Sequence, residues 1–166
     1  KTMKKDYRVY CMISDGESQA GQVWEAAMAA PKFKLDNLCV LLDYNKIQLS
    51  GAVRDIMNLE PLADKWRAFN WNVAEIDGHD FGAILKALND AEKVKEKPTL
   101  ILCHTIKGKG VSFMEGKWEW LTQPVKSGAR AHTQPGPGER YRRESHAVGD
   151  FAEPITAHLV FPEDRP

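Results

Sequence analysis

Asp15 and Asn45 stand thirty residues apart, each shortly after a short apolar run. Asp15 follows Arg8-Val9-Tyr10-Cys11-Met12-Ile13 and a serine; Asn45 follows Leu38-Cys39-Val40-Leu41-Leu42, Asp43 and Tyr44. The first run is β-branched and aromatic, as strands are, and the second is apolar throughout, as in a strand covered on both faces. With one helix between them the two strands make a βαβ unit, whose right-handed crossover sets their carboxyl ends side by side. At those ends Asp15 offers a hard carboxylate, Asn45 an amide oxygen and Ile47 a backbone carbonyl. Three protein oxygens leave three octahedral positions for two phosphate oxygens and a water, which suits Mg²⁺ (or Ca²⁺). A helix beginning near Gln19 to Gly21 would aim free N–H groups toward the same place. Either residue alone would be an ordinary turn former; the pairing at strand ends points to a metal.

The elements that must position these residues are legible in the chain up to Trp120. Gly21 to Ala30 is alanine-rich, with Val23, Ala26, Ala27 and Ala30 on one face, and the pattern predicts a helix that stops before Pro31. Pro61 opens a second helix through Leu62, Trp66 and Phe69. Val73-Ala74-Glu75-Ile76 reads as a strand stopped by Asp77-Gly78. Asp80 can then cap a helix whose core stripe is Phe81, Ile84, Leu85 and Leu88. Thr99 to Cys103 reads as one more buried strand. Alternating strands and helices of this kind predict an α/β fold: a doubly wound, mostly parallel sheet with helices on both faces. The ligand then belongs beyond the carboxyl ends of the strands.

Residues 121–166 break this pattern. They carry six of the nine prolines and none of the five tryptophans, with a Gln134-Pro135-Gly136-Pro137-Gly138 breaker followed by Arg140-Tyr141-Arg142-Arg143. With no sustained period of 2 or 3.6, the segment reads as a Pro/Gly/Arg-rich irregular tail. The domain proper is thus expected at residues 1–120. Twenty-three basic and twenty-three acidic residues cancel, so no overall field draws the chain to nucleic acid or an anionic membrane. No apolar run approaches the ~20 residues that span a bilayer. Cys11, Cys39 and Cys103 each fall within a strand-like run, without a CxxC pair. An odd, scattered count reads as buried thiols in a reducing, cytoplasmic setting.

The words around Asp15-Gly16 and Asn45 resemble a known family. They are Gly21-Gln22-Val23-Trp24-Glu25-Ala26-Ala27, Lys34-Leu35-Asp36-Asn37-Leu38, Ile76-Asp77-Gly78-His79 and His104-Thr105-Ile106-Lys107-Gly108-Lys109-Gly110. In this order they are similar to the pyrophosphate-binding, N-terminal half of transketolases, especially those whose two halves are separate polypeptides. The resemblance implies thiamine diphosphate as cofactor, with Asp15, Asn45 and the Ile47 carbonyl on the metal. Gly16 and Asn45 would contact the diphosphate, and Lys107 would lie by the cofactor. Glu25 matches an acidic residue near the subunit interface. The implied reaction is two-carbon ketol transfer between sugar phosphates of the pentose phosphate pathway, in a dimer-type assembly with a pyrimidine-binding partner half.

Three positions depart from the family's pattern. Ser14 stands for the first glycine of the metal motif, Ala20 for a glutamate of the interface network, and Leu121 for a histidine that touches cofactor and substrate. From Leu121 onward the pattern is not followed, and the upstream part of the domain is expected to be missing. Two other readings remain open at this stage. One is a different thiamine enzyme, such as deoxyxylulose-phosphate synthase or a 2-oxo-acid dehydrogenase component. The other is an inactive, truncated remnant. In either case the chain alone is expected to be inactive.

Overall fold

The computed structural model describes residues 5–121, which fall in one of two compact units of the chain, Lys1–Gln134. In chain order its elements are β1 (Val9–Ser14), α1 (Gly21–Lys32), β2 (Leu38–Tyr44), β3 (Ile47–Gln48), β4 (Gly51–Ala52), α2 (Val53–Ile56), α3 (Leu62–Ala68), β5 (Asn72–Asp77), α4 (Phe81–Lys93) and β6 (Thr99–His104). Short 3-10 turns at Glu17–Gln19 and Trp118–Leu121 complete the set. The main sheet has the order β1-β2-β6-β5 and every pairing in it is parallel. A small antiparallel pair, β3 and β4, stands apart. Apart from Leu121, the expected irregular tail lies outside the described residues.

Side-chain alternation along the strands divides the core in two. Val40 and Leu42 of β2, with Leu100 and Leu102 of β6, pack with Ala27 and Ala30 of α1 and Leu62 and Trp66 of α3. Their neighbours Cys39, Ile101 and Cys103 point the other way, onto Ala87 and Ala91 of α4. Helices thus cover both faces, as the sequence pattern predicts. The central strand β6 is buried at every residue from Thr99 to Cys103.

Two helix readings need correction. On α4, Asp80 caps as expected, its Oδ1 accepting from the Gly82 and Ala83 N–H groups at 2.8 and 3.2 Å. The buried positions, however, are Ala87 and Ala91, while Phe81 and Leu85 are 81% and 61% exposed. Half of the expected stripe therefore holds: Leu88 packs against the same cluster as Ala87 and Ala91, and Ile84 is half-buried. The contact face is rotated from the stripe toward the alanines, which leaves Phe81 and Leu85 outside it.

Helix α1 runs through Pro31 to Lys32 instead of stopping at Ala30. Proline has no N–H to give the carbonyl four residues back, at Ala27. That buried carbonyl is taken by Trp71, whose indole Nε1–H donates to it at 2.8 Å. Trp71 in turn sits edge-on to Trp66, 4.8 Å between ring centres, a favoured aromatic geometry. A distant side chain therefore replaces the missing helical hydrogen bond. Trp71→Phe is expected to cost about 1–3 kcal/mol by leaving the Ala27 oxygen buried and unpaired. In a Pro31→Ala background, where residue 31 regains an N–H, the same change should cost less. Urea denaturation of the four proteins measures the difference; equal costs in both backgrounds would refute the exchange of donors.

Candidate functional site

β1 and β2 are paired in register with Ser14 opposite Asp43, so the two strand ends lie side by side. The chain continues the contact one step further, the Asp15 N–H donating to the Asp43 carbonyl at 3.2 Å. Asp15 is fully buried. Its carboxylate accepts from the Gly16 N–H at 2.8 Å and the Lys46 N–H at 2.6 Å. The second bond ties the end of β1 to the segment carrying Asn45 and Ile47. No salt bridge reaches Asp15 or Asp43 among the described residues. Burial accordingly pushes the Asp15 carboxyl up to about 6; the two N–H groups oppose this, and the nearby Asp43 charge adds to it.

Above Asp15 opens a cavity of about 490 Å³, lined by Gly16, Asn45, Ile47 and Lys107 together with Ser14, Glu17 and Asp43. Four of the five expected site residues therefore share one cavity, with the fifth, Asp15, buried beside it. Gly16 has ordinary helical dihedrals, so its backbone does not demand glycine. A Cβ there would meet only Gln48 Cβ at 3.4 Å and Ser14 Oγ at 3.9 Å. The missing side chain therefore leaves open space for a ligand. Lys107 comes from the loop after β6. That loop is anchored where His79 Nε2 accepts from the Ile106 N–H at 2.7 Å and where the Gly116 N–H donates to the Lys107 carbonyl at 2.9 Å. Gly78, in the same corner, has no room for a side chain: a Cβ would lie 2.5 Å from Thr105 Cγ2 and 2.9 Å from Cys103 Cβ. His79 is thus a brace for the Lys107 loop.

Asp43 is the residue that sequence reasoning passes over. Its carboxylate accepts from the Thr105 hydroxyl and from the Asn45 amide Nδ2 at 3.0 Å, while Asn45 Oδ1 accepts from the Ile47 N–H at 2.9 Å. One side chain thereby joins the ends of β2 and β6 and fixes which way the Asn45 amide faces. Its only signal is a place at a strand end, which it shares with ordinary turn residues. The Gln19 side chain carries no signal either; its amide donates to Gln48 Oε1 and to the Met57 carbonyl at 3.1 Å, closing the cavity on the β3 side. The expected row of free N–H groups is reduced, because the Gly16, Ser18, Gln19 and Ala20 amides all have internal acceptors. Two expectations about cysteines hold and one does not: Cys39 and Cys103 are buried, but Cys11 is half-exposed.

The residues present fit a divalent cation. A buried carboxylate without a cationic partner, beside a second carboxylate, lacks the countercharge that a metal supplies. Among the described residues no group of three His, Cys, Asp or Glu side chains could hold one, so a metal here would rely on the mixed set of carboxylate, amide and carbonyl. That hard-oxygen set matches Mg²⁺ or Ca²⁺ and not zinc.

An open parallel sheet, covered on both faces and presenting a polar cavity at its strand ends, is a doubly wound α/β ligand-binding domain. The chain belongs to the transketolase family, matching its thiamine diphosphate binding domain over residues 2–135. It is 53% identical, over 66% of its own length and 40% of the other's, to a 6-deoxy-6-sulfo-D-fructose transketolase subunit of Clostridium sp. (strain MSTE9). It is 42% identical, over 72% and 43% of the two lengths, to an apulose-4-phosphate transketolase subunit of Phocaeicola vulgatus. Among solved structures, transketolase from Campylobacter jejuni superimposes with a TM-score of 0.65 at 36% identity, over 69% of this chain and 18% of that one. The chain thus spans about two fifths of the length of these two curated relatives. No helix among the described residues is long and apolar enough to cross a membrane.

Proposed function

We propose that this chain contributes the diphosphate-anchoring part of a two-subunit transketolase. It would hold thiamine diphosphate through Mg²⁺ (or Ca²⁺) at the ends of β1 and β2. The observation that carries the reading is the buried, uncompensated Asp15 carboxylate beside the cavity that Gly16, Asn45, Ile47 and Lys107 line. Asp15, the Asn45 amide oxygen and the Ile47 carbonyl would ligate the metal. Gly16 leaves room for the diphosphate, and among the described residues Lys107 is the one basic residue lining the cavity to meet its charge. Asp43 and Thr105 position Asn45 and the Lys107 loop. When bound, the cofactor supplies the chemistry of two-carbon ketol transfer between sugar phosphates; this chain's residues bind and orient it. Two of the relatives are themselves named as transketolase subunits, which supports a separate pyrimidine-binding partner and a dimer-type assembly.

Titrating thiamine diphosphate into the chain with Mg²⁺ present, and again with excess EDTA, tests this. Amide chemical shifts, which read weak binding, should move at Gly16, Asn45 and Lys107 only when the metal is present. Equal binding in EDTA, or shifts confined to other residues, would remove the metal assignment.

A further inference from the structure

Ser14 and Glu17 enclose the Asp15-Gly16 turn between them, and their hydrogen bonds are reciprocal. The Ser14 N–H donates to Glu17 Oε2 at 2.8 Å, and the Glu17 N–H donates to Ser14 Oγ at 3.2 Å. The reciprocal pattern is that of a capping box, closed here around the turn that leads into the 3-10 element, two residues before its N-cap Gly16. A third bond reinforces it: the Ser18 hydroxyl, fully buried, donates to the Ser14 carbonyl at 3.0 Å. The Ser18 N–H meets the Asp15 carbonyl at 3.1 Å. Only two residues lie inside this ring, the buried carboxylate and the glycine of the cavity wall.

From this geometry we infer that Ser14 and Glu17 are a positioning pair for the metal–diphosphate site, an inference that rests on the function proposed above. The pair has two effects. It fixes the turn that aims the Asp15 carboxylate. It also holds the Glu17 carboxylate against the Ser14 N–H in a cavity meant for an anion. Both residues line that cavity, and a released Glu17 would set a mobile negative charge beside the diphosphate, competing with it for the metal and for Lys107. Ser14 has ordinary backbone dihedrals, absent from the positive-φ set. Its hydroxyl therefore adds a bond at no conformational cost, which gives a physical reason for serine at this position.

Four proteins test the inference in two ways: the unaltered chain, Glu17→Ala, Glu17→Gln and Ser14→Ala. The first measurement is amide hydrogen exchange from Ser14 to Ser18 without ligand. Protection should fall in Glu17→Ala and Ser14→Ala and persist in Glu17→Gln, which keeps the acceptor. The second is titration with thiamine diphosphate and Mg²⁺, followed by amide shifts. Affinity should be about fivefold lower in Glu17→Ala than in Glu17→Gln, the factor expected from losing one cap, because both variants lack the charge and only the second keeps the acceptor. Both titrations are run well below the thermal midpoints of the two variants, so that a general loss of stability does not mimic the effect. Unchanged exchange, or equal affinity in Glu17→Ala and Glu17→Gln, overturns the pair as a positioning device. An unaltered chain that shows ordinary protection but no binding overturns the functional reading, and the role of the pair toward the diphosphate falls with it.

Discussion

Asp15→Ala is expected to weaken metal-dependent thiamine diphosphate binding at least ~10-fold, because a metal-bridged charge contact is worth more than ~1.4 kcal/mol. The pH dependence of the unaltered chain should carry the same signature. With its carboxyl pushed up to about 6 by burial, Asp15 takes up a proton readily below that pH, and a protonated acid is a poor ligand. Affinity for the metal and cofactor should be flat near neutrality and fall as pH drops through about 6. Stability of the metal-free chain runs in the opposite direction. A carboxyl raised in the folded state from its ordinary 3.8 favours folding below 3.8, and that contribution is lost as pH rises through 6. Mg²⁺ should therefore raise the thermal midpoint more at pH 7.5 than at pH 5. Equal shifts at the two pH values would mean that Asp15 is not the ligand.

The 166-residue polypeptide alone is expected to give no ketol transfer at any cofactor concentration. Family resemblance assigns to the pyrimidine-binding half a carboxylic acid that acts on the cofactor's aminopyrimidine end. The two carboxylates lining this cavity are already engaged, Glu17 with the Ser14 N–H and Asp43 with Thr105 and Asn45. Leu121 lines the same cavity, so an apolar side chain stands where the family's pattern has a histidine for cofactor and substrate. Loss of such contacts matters, since misplacement by ~1 Å can cost ~100-fold in rate. Turnover of xylulose 5-phosphate with ribose 5-phosphate should match the uncatalysed rate, and Leu121→His alone should restore nothing. Transfer by the purified polypeptide, with no second protein present, would contradict this.

Much of the architecture was legible because strands and helices here follow their hydrophobic periods. Leu38 to Leu42 and Thr99 to Cys103 are apolar throughout because they lie in the two middle strands, covered on both sides. Asp15 and Asn45 could be paired because each ends a strand in one βαβ unit, where handedness leaves a single arrangement. Other features depend on partners that no local pattern reveals. Pro31 reads as a stop until Trp71, forty positions on, supplies the donor. The β3–β4 pair has two residues per strand, too few for any period. Asp43 gains its role from Thr105 and Asn45 together, and one of these comes from the far end of the domain. Phe81 and Leu85 show the opposite failure: half of a convincing stripe lies outside the contact, which Leu88 shares with Ala87 and Ala91.

Among the described residues strand β6 is the last of the sheet to be synthesised, yet it lies between β2 and β5, and those two strands have no pairing with each other. During synthesis β1 and β2 can pair as soon as α1 has formed, but β5, which meets α3 and α4, has no strand to pair with until Thr99 to His104 arrives. Parallel pairings between segments this distant in sequence form slowly, after a large closure entropy has been overcome. Insertion of β6 then delivers Thr105 to Asp43 and Lys107 to the cavity in the same step. The cavity's assembly is thereby tied to completion of the sheet: a nascent chain that ends before His104 carries Asp15 and Asn45 but lacks the strand that brings the rest of the site to them.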